Sequence, residues 1–187
     1  RDSDNSGTIN GIDDANPGIA NVTVYLYAGV DVGGDGIPDD LTEITTTTTD
    51  ADGYYLFGNL PAGDYIVGIP DTNFNAGNPL YQLRSSTGEP AQAKYTSAPL
   101  DGNVDSEDHG RDPATAGDAV YSPIINLANN EETGESDLPS DTVTYGPDLR
   151  GVNGELDENS DLTVDFGFFG GTDVAFSIGN HLWYDSG

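Results

Sequence analysis

The 187-residue chain contains neither cysteine nor methionine. Without cysteine there is no disulfide framework, and no zinc-ligand spacing of Cys and His is present. The absence of both oxidisable sulfur side chains suits exposure outside a cell. Positive charge is nearly as scarce: Lys+Arg is 5 against 33 Asp+Glu, a formal net charge of −28. Nucleic-acid phosphate is excluded as a partner, because it is held by basic patches. Anionic membrane surfaces are disfavoured for the same reason. No apolar run is long enough to span a bilayer, and no signal peptide or lipidation motif is found. The chain therefore reads as an interior piece of something longer, with no membrane insertion. No stretch carries a convincing helical stripe.

What the chain has in quantity is Asp beside Gly. Self-repulsion at this charge destabilises a compact state unless counter-ions bind, and each divalent cation removes two charges. General acidity for solubility would spread the acids evenly, whereas here they cluster in Asp-Gly loops. The first cluster opens the chain, Arg1-Asp-Ser-Asp-Asn-Ser-Gly-Thr-Ile-Asn-Gly-Ile-Asp13. Counted from Asp2, oxygen-bearing side chains at Asp2, Asp4 and Ser6 hold loop positions one, three and five, and Gly7 takes the sharp turn at six. Thr8 offers a carbonyl at seven, Asn10 stands at nine and Asp13 closes at twelve. This is the ligand spacing of an EF-hand calcium loop, with Asp for the usual final Glu and no flanking amphipathic helices. A second acidic loop offers Asp31, Asp35, Asp39 and Asp40, and Asp50 and Asp52 are expected to face it from the same end of a sandwich. A third offers Asp101, Asn103, Asp105, Glu107, Asp108 and Asp112, with no complete spacing motif.

Between the loops the chain reads as short strands. Asn21–Ala28 alternates β-branched and aromatic residues, Glu43–Thr49 is threonine-rich, and Tyr54–Phe57 and Tyr65–Pro70 follow after Gly-containing turns. Tyr81–Arg84, Tyr121–Leu127 and Asp161–Phe169 are further strands, and one more is expected at Ser177–Gly187. Short strands and turns at this cadence predict an antiparallel sandwich or barrel.

These residues together resemble the SdrD-type B repeats of bacterial extracellular surface proteins, relatives of the collagen-adhesin B domains. The resemblance is carried by Ile178-Gly-Asn-His-Leu-Trp-Tyr-Asp185, the acidic loop Asp2–Asp13, Pro17-Gly-Ile19 and Val22-Thr-Val-Tyr-Leu26. It continues through Thr47–Phe57, Leu60–Tyr65 and Asp165–Phe168. It implies an all-β, seven-stranded, transthyretin-like Greek-key sandwich, here with a long middle insertion at about 71–155. It also implies calcium in the loops and an extracellular or cell-surface stalk or adhesin role. Relatives often carry a Lys–Asn isopeptide cross-link. The sole lysine, Lys94, lies in the atypical middle, so no cross-link carries over.

The family's opening motif stands at the end of this chain. The sequence therefore reads as a sandwich over 1–172 followed, over 173–187, by the first strand of the next repeat. That strand either continues into a tandem neighbour or is donated to one. Identical units would meet head to tail through 174–185, a contact that does not close and so builds a filament. Asp185 of the preceding unit would join Asp2, Asp4, Ser6, Thr8 and Asp13 around a calcium ion. The competing expectation is an adhesin or carbohydrate-binding module whose insertion presents Tyr81, Tyr95, Tyr121 and Tyr145 to a surface ligand or glycan. An enzyme fits poorly. His109 and His181 are the only histidines, and no nucleophile elbow or phosphate-binding Gly loop is present.

Overall fold

The structure, a computed structural model, describes residues 18–30, 32–33, 39, 42–86, 108–111, 113, 115–129, 156 and 159–170. Alternation sets the first strand. In β1 (Thr23–Ala28), with Val22 just ahead of it, Val22, Val24 and Leu26 are buried on one face, and Tyr25 and Tyr27 point to the other. β1 pairs antiparallel with β2 (Glu43–Thr48), Thr23 opposite Thr48, and with β3 (Gly63–Ile69), Tyr25 opposite Gly68. β2 is a sheet edge, exposed along almost its whole length. Its register with β1 slips between Leu26 and Tyr27, so Ile44 is skipped. Such a bulge twists an exposed edge away from further pairing. Thr46 Oγ1 donates back to the Val24 carbonyl at 3.0 Å, so one of the edge hydroxyls serves the ladder itself.

A 3₁₀ turn (Asp71–Phe74) follows β3, then β4 (Leu83–Ser85). β5 (Val120–Tyr121) and β6 (Ile125–Leu127) both pair with the same edge of β3. The expected continuous strand Tyr121–Leu127 is therefore split. Pro123 has no N–H to give a ladder, which confines it to an edge or bulge. Ser122 bridges the gap: its N–H donates to the Val67 carbonyl at 2.9 Å and its Oγ accepts from Val67 N at 3.0 Å. β7 (Phe168–Gly170) pairs with β4, Ser85 opposite Phe168, in a second, two-stranded sheet.

The described residues thus form an all-β, antiparallel structure of two sheets, in the order β2-β1-β3 with β5 and β6 beyond, and β4-β7. The core lies between them. Val22, Val24, Leu26, Tyr65, Val67, Ile69, Val120 and Ile125 face it from the larger sheet. Leu80, Val164 and Phe168 meet them from the other side, with Phe74 edge-on to Phe168 at 5.8 Å. β4, β5 and β6 all come from within 71–155, the stretch expected as an insertion.

Two further expected strands differ. Tyr54–Phe57 joins no ladder among the described residues. Its aromatics serve the core instead: Tyr55 and Phe57 pack against it edge-on to each other at 6.0 Å, and the Tyr55 hydroxyl donates to the Val164 carbonyl at 2.6 Å. Of Asp161–Phe169, only Phe168 and Phe169 fall within a strand. The preceding residues bond to side chains and loops, because Asp161 Oδ1 caps the Thr163 N–H at 3.1 Å and His109 occupies the flank of Asp165.

Candidate functional site

Of the fourteen expected calcium ligands, Asp39, Asp50, Asp52 and Asp108 lie among the described residues. Asp2, Asp4, Ser6, Thr8, Asp13, Asp31, Asp35, Asp101, Asp105 and Asp185 lie outside them. So do Asp40, the strand at 177–187 and the proposed contact at 174–185. Among the described residues no group of three or more His, Asp or Glu side chains is placed to hold a metal ion.

Asp50 and Asp52 sit in the turn that leaves β2. Asp50 Oδ1 accepts from Asp52 N at 2.9 Å and Tyr54 N at 3.0 Å, an Asx turn closed by Gly53 at φ 91°. Gly18 lies against this turn: a Cβ there would stand 1.8 Å from the Asp52 carbonyl oxygen. Thr49, a buried hydroxyl residue, ties the two strands of chain together. Its Oγ1 accepts from Val22 N at 2.9 Å and donates to the Ile19 carbonyl at 2.6 Å. Two backbone bonds frame it, Asn21 N to Thr49 O at 3.0 Å and Thr49 N to Val22 O at 2.9 Å. The chain arriving from the first acidic loop is thus clamped onto the Asp50–Gly53 turn.

The second acidic loop emerges at the other pole. β1 runs away from the clamp and β2 returns to it, so Gly29, Val30 and the Asp39 bonded to Val30 lie a six-residue strand away, about 20 Å at ~3.3 Å per residue. Asp39 therefore does not face Asp50 and Asp52, contrary to expectation, because a residue at the β1–β2 connection and the turn beyond β2 lie at opposite ends of the hairpin; Asp31 and Asp35 lie outside the described residues. At that far pole Asp39 N donates to Val30 O at 2.7 Å, and the Asp39 carboxylate accepts from Val32 N. Gly29 N donates to the Asp64 carbonyl at 2.8 Å, and the Asp64 carboxylate accepts from Asn126 Nδ2.

Asp108 is not a loop-surface acid. It is 2% exposed, and its Oδ1 accepts from Gly110 N at 2.9 Å and Gly167 N at 3.0 Å. His109 beside it is equally buried. Its N–H donates to the Asp165 carbonyl at 2.9 Å, and its Nδ1 accepts from Asp165 N at 3.2 Å. The pair knits residues 108–110 to the chain leading into β7. Buried and bonded through both its N–H and Nδ1, His109 serves here as a packing element. Burial, reinforced by Asp165 and Asp161, pushes the Tyr55 hydroxyl well above its ordinary range, so it stays protonated as a donor.

Sequence reasoning passed over one cluster. On the outer face of the larger sheet, Tyr25 and Tyr27 of β1 stand edge-on at 6.0 Å, and Tyr27 meets Tyr121 of β5 at 6.0 Å. The spacing of Tyr25 and Tyr27, opposite to Val24 and Leu26, was the available signal. Of the other expected tyrosines, Tyr81 is exposed with no aromatic contact among the described residues, and Tyr95 and Tyr145 lie outside them.

The profile of the SdrD B-like domain matches residues 1–122, about two thirds of the chain. The chain belongs to the SdrD B-like domain family. The family consists of repeat domains of extracellular surface proteins, structural and generally non-enzymatic. No curated protein and no solved structure matches the chain. The matched stretch ends just after β5, whereas β6 pairs with β3 and β7 with β4. The sheets of this SdrD B-like chain therefore draw on residues beyond the match, as far as Gly170. No helix among the described residues is long and apolar enough to cross a membrane.

Proposed function

We propose that this chain is a calcium-stiffened structural repeat that joins head to tail into an extracellular filament or surface stalk. The observation that carries the reading is the polarity of the sandwich. The chain from the Asp2–Asp13 loop is clamped by Thr49 at one pole, and the Asp39-bearing loop emerges at the opposite pole. Acidic stretches joining the chain at each end would stand where successive units of an array meet. Calcium there would offset the charge of −28 and hold neighbours at a fixed angle. Asp2, Asp4, Ser6, Thr8 and Asp13 would hold the junction ion, with Asp185 of the preceding unit. The Ile178–Asp185 strand would supply the contact, either as continuing chain or by donation.

The test is removal of calcium. An ion at about 100 times its dissociation constant adds about 2.7 kcal/mol per site. For a chain of this size that is roughly 5–10 °C in midpoint. Chelation should lower the unfolding midpoint by at least that much and shorten particles seen by electron microscopy. An unchanged midpoint with EDTA refutes the calcium brace, and micrographs holding only single units refute the filament.

A further inference from the structure

The outer face of the larger sheet carries a cleft of about 420 Å³, within the roughly 300–1,000 Å³ of ordinary ligand sites. Tyr25, Tyr27 and Tyr121 wall it, and Asp71 and Asp118 stand at its rim. Its position follows from the ladder. Tyr25, Gly68 and Tyr121 lie in one cross-strand row over β1, β3 and β5. Gly68 leaves the middle of that row empty, and the rings lean over it. A Cβ on Gly68 would stand 2.8 Å from Tyr27 Cε2 and 3.0 Å from the Tyr121 ring. The 3₁₀ turn after β3 brings Asp71 to the rim, and the Thr115–Asp118 turn before β5, with Gly117 at φ 89°, brings Asp118.

We propose that this cleft binds an organic cation, specifically a rounded alkylammonium head group. Three features select that chemistry. The rings are mutually near-perpendicular, at 79° and 66°, so they form walls and not the flat platform on which a sugar ring or a guanidinium plane stacks. An ammonium set against the part-exposed rings of Tyr25 and Tyr121 gains cation–π attraction, with the buried Tyr27 ring backing both. Among the described residues the Asp71 and Asp118 carboxylates meet no hydrogen-bond or ion-pair partner, and neither do the three tyrosine hydroxyls. Among the described residues no Lys or Arg lines the cleft, and Arg111, bridged to Tyr121, continues the same row beyond it. The site lies on the side of the sheet, away from both acidic poles, and owes nothing to calcium.

Tetramethylammonium titrated against the full chain, at constant ionic strength and saturating calcium, tests this. The ring resonances of Tyr25, Tyr27 and Tyr121 should shift saturably. Asp118→Asn and Tyr121→Leu should each weaken binding about tenfold, the scale of one cation–π or charge contact. Asp118 is exposed, so its amide variant keeps the fold, and an unchanged unfolding midpoint verifies this. Three results overturn the proposal: no saturation with tetramethylammonium, unaltered binding in both variants, or shifts of these rings by a neutral oligosaccharide but not by the cation. Filament length and calcium response should be unchanged in Asp118→Asn, so this site and the assembly reading fail separately.

Discussion

Replacing Thr49 by Val removes a hydroxyl while keeping the branched shape, and so isolates the clamp between the incoming chain and the β2 turn. In the native structure Oγ1 accepts the Val22 N–H at 2.9 Å and donates to the Ile19 carbonyl at 2.6 Å. Val22 is only 3% exposed, so its N–H would be left buried with no acceptor, a cost of about 1–3 kcal/mol. The Ile19 carbonyl, half-buried, would lose a bond of about 0.5–1.5 kcal/mol. Together these give about 2–4 kcal/mol, roughly 5–15 °C in unfolding midpoint for a chain of this length. Thr49→Ser keeps both bonds and loses one methyl, about 0.8 kcal/mol. Thermal unfolding followed by circular dichroism, with denaturant titration to obtain free energies, should therefore rank native above Ser above Val. If Ser falls as far as Val, packing and not the hydroxyl holds the clamp. If Val behaves as native, the clamp contributes nothing.

Further outcomes follow from other contacts. Gly18→Ala should be still more disruptive than Thr49→Val, because its Cβ would lie 1.8 Å from a backbone oxygen that cannot rotate aside. Denaturant midpoints compare the two. Leu26→Ala, at a 2% exposed core position, should cost about 2–5 kcal/mol by the same measurement. Asn73→Ala should cost about 2–4 kcal/mol. The Asn73 side chain accepts from Thr23 N at 2.9 Å and donates to Thr23 O at 2.8 Å, standing in for a strand neighbour. Stability should also fall in alkali. Burial raises the hydroxyls of Tyr27, Tyr55 and Tyr121 above the ordinary 10.0. The folded state then holds protons that the unfolded chain releases. Their stabilisation is complete below pH 10 and lost as pH rises, at up to about 1.4 kcal/mol per pH unit for each group. Unfolding midpoints between pH 8 and 11 check the sign, and a midpoint that rises with pH contradicts it.

Alternation made the larger sheet readable before any coordinates. Val22, Val24 and Leu26 against Tyr25 and Tyr27 declare both a strand and its core face, and the Thr run of β2 declares an exposed edge. Tyr54–Phe57 misled because its composition is that of a strand, while the local Asp50 turn takes the Tyr54 backbone groups and the distant Val164 takes the Tyr55 hydroxyl. Tyr121–Leu127 contained its own warning in Pro123. Asp108 and His109 could not be read as buried, since their neighbours are acidic and polar. Their burial depends on Asp165 and Gly167, more than fifty residues onward. The first acidic loop showed a ligand spacing, but the sequence did not place Asp39, because which end of a sandwich a residue occupies is a property of strand direction. The Tyr25–Gly68–Tyr121 row joins residues from three strands, so only the register reveals it.

The pairing of β4 with β7 has a kinetic meaning. Ser85 and its partner Phe168 are separated by 83 residues (168 minus 85). Ala28 and Glu43, which bound the loop between β1 and β2, are separated by only 15 (43 minus 28). Loop closure costs about (3/2)RT ln n, so the distant pairing is dearer by about 1.5 kcal/mol before any contact repays it. The larger sheet is therefore expected to assemble early, with Val22, Val24 and Leu26 uncovered, and to wait for β7 to arrive. During synthesis or export that apolar face stands open until residue 170 has emerged. The interval makes folding speed, more than final stability, the quantity on which aggregation of this chain depends.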